Sequence, residues 1–565
     1  MPDNQKKLFK FWHELKRRKV VAVIISYAAI AFILLQLANL LEESLDLPLW
    51  FDKLITILLL IGFPIAIIFS WIFDVSSKGI TKTEPESAEK QPVTHFNDAP
   101  EKSIIVLPFE NISSDPEQEY FSDGLTEEII TDLSYISDLL VISRNSAMTF
   151  KGSKKKTSEI AGDVNVRYVL QGSVRKSENN LRINAQLIDA NKDTHMWAEK
   201  YIGTLDNVFD IQEKVSKSIV EALKIKLNPQ EKERISEVNI DNIQAFECYL
   251  QARQEIYRFT EDGLVRGIQH IKNGLEIIGE NEILYAAMGT AYFFYVDAGI
   301  KPGTDYLQKI EECSQKIFHL SPESAHGYFL SGAVHFLRRN LQHAVIDLKK
   351  SLEKNPNNPD CLVQLTRIYS SCGQNDAAWK LLDKTLAIDP FNAIAFSLPG
   401  YLHLLNGDSE KAREAYHKMY KMDPESPIFG WFYALALIFA KQNEEAFKII
   451  DRFEKIAPQS TYTRYALFLK FSVLGDKEKA LEIITPELEN VAKAIEYHSR
   501  TITWGYALLG EKKKALDWLE NTIACGFINY PFLVEIDPFL ENIRGEIRFK
   551  KLMERVKHEW ENFEV

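Results

Sequence analysis

GDSEKAREAYHKMYKMDPESPIFGWFYALALIFA, residues 407–440, is one unit of a period that decides how the second half of the chain folds. Its Pro424 belongs to a series with Pro322, Pro356, Pro390 and Pro458, each 34 residues from the next. Its Ala412 keeps the same 34-residue spacing with Ala344, Ala378, Ala446 and Ala480. Gly373, Gly407 and Gly475 stand five residues before their alanines, in GQNDAA, GDSEKA and GDKEKA. Small residues let two helices approach closely, and proline ends the second of them. Units of this kind cannot bury their apolar faces alone, so they stack.

A period of 34 is that of tetratricopeptide arrays. Looser units precede the phased ones: Gly289 lies in AAMGTAY ahead of an insertion, AGIKPGTD, and AFECYLQARQEIY (245–257) begins another. GEKKKALDWLE (510–520) follows after an irregular stretch. The array is expected over 240–535, with a charged amphipathic terminal cap over 536–565. The first helix of each pair should line a concave face. Counting back from each proline puts Phe329, Val363, Ser397, Trp431 and Tyr465 at one position of that face. Ala333, Arg367, Tyr401, Leu435 and Leu469 fall one turn on. Phe329, Arg367, Tyr401, Trp431, Leu435 and Tyr465 would then form a protein-binding groove for an extended or helical peptide with apolar anchors. Trp431 and Tyr465 are its best anchors, because large aromatics dominate binding hot spots. The same aromatics also suit plain packing between helices.

At the other end, residues 20–41 and 54–73 are uncharged runs long enough to cross a hydrocarbon core of about 30 Å. Gly62 and Pro64 are tolerated in membrane spans. Lys6, Lys7, Lys10, Lys16, Arg17, Arg18 and Lys19 crowd the segment 1–19, whereas the loop between the runs carries Glu42, Glu43, Asp46 and Asp52 against one lysine. The positive-inside rule places both termini in the cytoplasm, with two helices within 20–74 spanning a bacterial inner membrane. Five cysteines without a C-x-x-C pair are expected as reduced, mostly buried thiols. A net charge of −12 argues against nucleic acid as the main partner.

Residues 75–101 are polar and aperiodic, and read as a flexible tether. SIIVLPF (103–109) and LLVIS (139–143) read as buried strands, 167–190 as a hairpin turning at Asn179 and Asn180, and 195–202 as a further strand. Helices over 124–136 and 206–226 complete a small α/β domain, 102–230. Its acidic stretch, LPFENISSDPEQEYFSDGLTEEII (107–130), fails as a calcium loop, because Tyr120 stands where glycine is required. The reading is a loop and a helix cap at Ser122 or Asp123, with Glu127 and Glu128 in the first turn. Arg144, after LLVIS, and Arg175, in the hairpin, could meet a phosphate or carboxylate, and ion pairing of both with the acidic helix is the expectation. No phosphate-binding loop, nucleophile elbow or zinc motif occurs, and no catalytic residue, metal or cofactor is assigned.

The blocks SIIVLPFENISSDPEQEYFSDGLTEEI, VISRNSAMTFKG, VRYVLQGSVRKSENNLRINAQLIDA and MWAEKY resemble the TolB-amino-terminal-like domain of bacterial membrane proteins. FWHELKRRKVVAVIISY and GFPIAIIFSWIFDVSSKGI resemble the two-span leader of the same multidomain family. The resemblance implies tetratricopeptide repeats after the domain; some members carry an adenylate cyclase label or a winged-helix activator domain. The expected protein is therefore mainly α with a small α/β domain: two membrane helices, a TolB-like domain and a C-terminal α-solenoid. Its expected function is that of a membrane-anchored scaffold or signalling adaptor binding a protein or peptide. A regulator or enzyme of adenylate-cyclase-associated type is the alternative.

Overall fold

The computed structural model describes residues 99–565 apart from 114, 116–117, 178, 206–207, 236–239, 259 and 298–303, together with 73–76, 79–82 and positions 31, 59 and 63. The apolar runs at 20–41 and 54–73 therefore lie almost wholly outside the described residues. Among the described residues no helix is long and apolar enough to cross a membrane. Residues 1–93 form one compact unit and 94–565 a second. In the first, β1 (Phe73–Ser76) pairs antiparallel with β2 (Gly79–Lys82), so a hairpin occupies the start of the segment read as a tether.

The second unit opens with a six-stranded sheet. β3 (Ser103–Val106) is parallel to both β5 (Leu140–Val141) and β6 (Tyr168–Ser177), and β4 (Glu110–Asn111) extends the pairing along β6. β7 (Asn180–Asp189) and β8 (Thr194–Thr204) continue it antiparallel, giving the order β5-β3-β6-β7-β8. Ile104, Ile105 and Val106 are fully buried, as expected for a strand covered on both faces. Helix α1 (Glu119–Ser134) repeats Phe121, Leu125, Ile129 and Leu133 every fourth residue, and none of the four is more than 1% exposed. After β5 come the short α2 (Arg144–Met148) and α3 (Thr157–Asp163). Past the sheet, α4 (Val208–Ala222) buries Val208, Ile211, Val215 and Ile219, packs against α1, and is followed by α5 (Pro229–Ile235).

From α6 (Ile243–Ile256) onward the chain is a tetratricopeptide solenoid of antiparallel helix pairs. All five phased alanines are 0% exposed, so the spacing marks the closest approach within each pair. Ser324, Asn358, Asn392 and Ser426 cap the first helices by accepting a backbone N–H three residues on, each worth about 1 kcal/mol. The turn five residues before each alanine is left-handed, with φ from 60° to 78° at Arg339, Gly373, Gly407, Lys441 and Gly475.

The irregular stretch after Leu474 resolves into a shortened helix (Lys477–Ile483) and an inserted one (Pro486–Ala494), before a last regular pair, Glu496–Leu508 and Lys512–Ala524. The tail packs on that pair and then reaches far back. Ile528 N donates to Ser371 O (3.0 Å), Phe563 stacks edge-on against Tyr369, and Glu564 N donates to Gln342 Oε1 (3.0 Å).

Candidate functional site

The concave face is filled by the chain itself. Trp431 is 2% and Tyr465 0% exposed, and the Tyr465 hydroxyl donates to Leu488 O at 2.9 Å. Phe329 and Leu435 are each 6% exposed. These four expected groove residues are core residues. The other two are bonded within the chain: Arg367 Nη1 lies 3.0 Å from Asp297 Oδ1, and Arg500 Nη2 donates to the Tyr401 hydroxyl at 3.1 Å. The Arg500 guanidinium is itself buried, 4.2 Å from the Phe527 ring and 5.3 Å from those of Tyr401 and Trp504. Helix Glu496–Leu508 carries Arg500 to Tyr401, and the tail beyond it brings Phe527 against the same guanidinium.

The acidic stretch is also arranged differently from its reading as a cap. Helix α1 begins at Glu119 after Gln118, so Ser122, Asp123 and Glu127 sit well inside it and are buried. Lys151 Nζ donates to both Asp123 oxygens at 2.7 Å. Glu127 joins two domains: Arg144 Nε donates to Oε2 at 2.7 Å, and Arg253 Nε, from α6 of the solenoid, donates to Oε1 at 2.5 Å. Both guanidinium groups lie over one ring, that of Tyr257, at 4.5 and 4.7 Å. Burial alone would raise the Glu127 carboxyl, but Arg253 and Arg144 hold it below the usual range. Glu128, the next residue, and Asp132, about one turn beyond it, form no such ion pair among the described residues. Burial, with Asp132 and Glu127 adding repulsion, pushes Glu128 up to about 8. Burial pushes Asp132 up to about 7 against hydrogen bonds from Ser216 and Gln212.

The α/β domain sits on one edge of the solenoid, on the loops that join successive pairs. Asn357 Nδ2 lies 2.9–3.1 Å from the carbonyls of Ser134, Ile136 and Leu139, the bend after α1. Thirty-two residues on, Asp389 is fully buried and accepts from Ser143 Oγ (2.5 Å) and Ser146 Oγ (2.6 Å). Ser143 N donates to Ile388 O, and Phe150 meets Phe391 at 5.8 Å between centroids. The next two loops of the same edge carry no part of the α/β domain among the described residues. There Met422 is 62%, Ile428 38% and Ile456 47% exposed, continuing from Phe391 and Ile394 at 43% and 42%. Met422 and Ile456 repeat the position of Ile388, which the α/β domain covers to 1% exposure.

Sequence reasoning anticipated that Arg144 would pair with the acidic helix, but not that Arg253, 126 residues from Glu127, would share it. A local signal for the docking loop exists in NPNNP (355–359), whose Asn357 replaces the Phe391 and Glu425 of later repeats. Arg175, expected to pair with the same helix, is instead exposed in the hairpin and forms no ion pair among the described residues. His335 and His343 stack at 5.4 Å, yet no group that could hold a metal ion occurs among the described residues.

Residues 100–218 match the model of the second domain of HilA/YgeH-like transcriptional regulators, and 348–380 match a tetratricopeptide repeat model. A protein named putative adenylate cyclase 3, from Rhizobium meliloti strain 1021, is 41% identical over 194 residues, 34% of this chain and 33% of that one. Anaphase-promoting complex subunit 3 from Schizosaccharomyces pombe is 22% identical over 174 residues, 31% of this chain and 26% of that one. The chain thus spans a third or less of these relatives. A solved tetratricopeptide repeat protein from Parabacteroides merdae superposes with a TM-score of 0.33 at 14% identity, covering 49% of this chain and 99% of that one.

Proposed function

We propose that this chain is a membrane-anchored protein-binding scaffold or signalling adaptor that recruits its partner along the exposed loop edge of the solenoid. The observation that carries the reading is the apolar series Phe391, Ile394, Met422, Ile428 and Ile456. It continues a surface on which the chain already docks its own α/β domain, and exposed apolar patches of this kind mark interaction sites. The regulator description attached to the family matched over 100–218 supports a signalling role, as does the sequence resemblance of the same segment to TolB-like domains. In this reading the uncharged runs 20–41 and 54–73 are the bilayer anchor, the described unit faces the cytoplasm, and the work is binding rather than catalysis.

The test uses the full tagged chain, cross-linked in membranes and purified with whatever it holds. Met422→Asp with Ile456→Asp should cut partner recovery at least about tenfold while leaving thermal unfolding unchanged, since both side chains are exposed. Unchanged recovery rejects the edge as the site. Alkaline phosphatase fused after residue 240 should be inactive, and active fusions there would overturn the cytoplasmic assignment. The 41% identity to a putative adenylate cyclase favours a second reading, a regulator or enzyme of that type. Cyclic AMP formed from ATP by the purified full chain would replace the scaffold reading with it.

A further inference from the structure

Three successive loops of the solenoid edge carry a side-chain acceptor at one repeated position: Asn355, Asp389 and Asp423, each 34 residues from the next. The α/β domain fills the first two. Asn355 is 6% exposed, and its Oδ1 lies 3.3 Å from Ser134 Oγ. Asp389 receives both Ser143 and Ser146 hydroxyls on Oδ1, while Ser143 N donates to Ile388 O and Phe391 N donates to Ser146 Oγ at 3.1 Å. What docks on the second loop is thus a single turn, Ser-x-x-Ser, whose hydroxyls converge on one carboxylate oxygen.

The third loop repeats the second. φ and ψ are −131° and 68° at Asp389, and −143° and 87° at Asp423. In each loop an N–H three residues on returns to the aspartate carbonyl, Asn392 N to Asp389 O at 3.0 Å and Ser426 N to Asp423 O at 3.2 Å. Asp423 is nevertheless exposed, and among the described residues its carboxylate accepts only from Glu425 N, in its own turn, at 3.1 Å. Met422 O, the counterpart of Ile388 O, takes no N–H from another element among the described residues. The contact of Phe150 with Phe391 is not repeated, since Glu425 stands there and pairs with Arg452. The fourth loop has Ala457 at the acceptor position, which ends the series.

We propose that Asp423 receives a hydroxyl-bearing turn, Ser/Thr-x-x-Ser/Thr, of the recruited protein, docked on loop 422–426 as the chain's own turn 143–146 docks on loop 388–392. The inference rests on the loop edge being the recruiting surface, and adds what the partner must offer there. It brings two hydroxyls three residues apart for the carboxylate and a backbone N–H for Met422 O. A carboxylate accepts and cannot donate, so an acidic turn is refused. Beside the apolar Met422 a hydroxyl loses less on leaving water than a lysine or arginine head would. The site thereby continues the interface that the α/β domain already makes with the two preceding loops.

The test uses the full chain with a photoreactive benzoylphenylalanine in place of Ile428, which is 38% exposed on the same loop edge. After irradiation in membranes, the linked peptide is sequenced and should contain two serine or threonine residues three positions apart. Asp423→Ala should lower the adduct yield at least about tenfold, the loss expected when hydrogen bonds to a charged group are removed. Asp423→Asn keeps a carbonyl acceptor of the kind Asn355 offers Ser134, and should hold the yield within about threefold. Replacing both partner hydroxyl residues with alanine should reproduce the Asp423→Ala loss. An undiminished yield in Asp423→Ala, or a linked segment without the hydroxyl pair, would overturn the proposal and leave the edge standing as the recruiting surface. No adduct at all would reject the edge itself and the proposal with it.

Discussion

Replacing Glu127 with alanine should be among the most damaging single changes in the second unit. Its carboxylate side chain is 4% exposed and is shared by Arg144, 15% exposed, and Arg253, 20% exposed. The substitution leaves two guanidinium groups over the Tyr257 ring, 4.5 and 4.7 Å from its centre, without the carboxylate they share. Breaking a buried ion pair by removing one partner costs about 3–5 kcal/mol. Total stabilities of about 5–15 kcal/mol make that about a fifth or more of the whole. Urea titration followed by circular dichroism should show the midpoint falling accordingly. The same titration on Glu127→Leu with Arg144→Met and Arg253→Met should return to within about 1.5 kcal/mol of the parent, because well-packed apolar groups replace buried ions at little cost. The effect has a pH signature. The Glu127 carboxyl is held below its unfolded value, so its contribution is complete above the ordinary carboxylate range and is lost as pH falls through the folded value. A Glu127→Ala chain within about 1 kcal/mol of the parent would refute the reasoning, showing that water already screens the triad.

Glu128 and Asp132, pushed up to about 8 and about 7, have the opposite linkage. They stay protonated in the folded chain where the unfolded chain has released its protons. Each therefore lowers stability by about 1.4 kcal/mol per pH unit between its unfolded and folded values, and Glu128→Gln with Asp132→Asn should flatten the slope measured between pH 5 and 8. Gly430→Ala would place a Cβ 1.9 Å from Phe453 Cε2 in a buried pair, so thermal melts should show a loss of about 1–3 kcal/mol. Gly475→Ala meets nothing within 4 Å but has φ +72°, so its cost should stay near the left-handed penalty of about 1–2 kcal/mol. Asn357→Ala removes the donor that serves three carbonyls at the domain junction; hydrogen exchange at Ile136 and Leu139 should rise, with about 1–3 kcal/mol lost in denaturation.

The solenoid was legible because its rule is local and repeated: one buried alanine and one proline per unit fix where two helices touch and where the second stops. The sheet was legible for a similar reason, since alternation around Asn179 and Asn180 sets the β6–β7 register from Ser177↔Asn180 inward. What escaped depends on distance along the chain. Ser122 and Asp123 have the chemistry of a helix cap, but the helix starts at Glu119, and Asp123 is held by Lys151 instead. Trp431 and Tyr465 have the chemistry of binding anchors, yet both are buried, and the Tyr465 hydroxyl donates to Leu488 in the inserted helix. No window of 34 residues records that Arg500 would reach Tyr401 from 99 residues away or that Leu488 would meet Tyr465 from an inserted helix.

The return of the tail to Gln342, Tyr369 and Ser371 changes how the array should come apart. Open solenoids behave as one-dimensional chains, in which each unit holds only its neighbours and melting creeps inward from a terminus. Here the last helices are fastened to repeats about 150 to 220 residues earlier, so the C-terminal side offers no loose end from which unravelling can start. Such a ring yields all at once or not at all, and a nick at the clasp would be felt as strongly at Tyr369 as at Phe563.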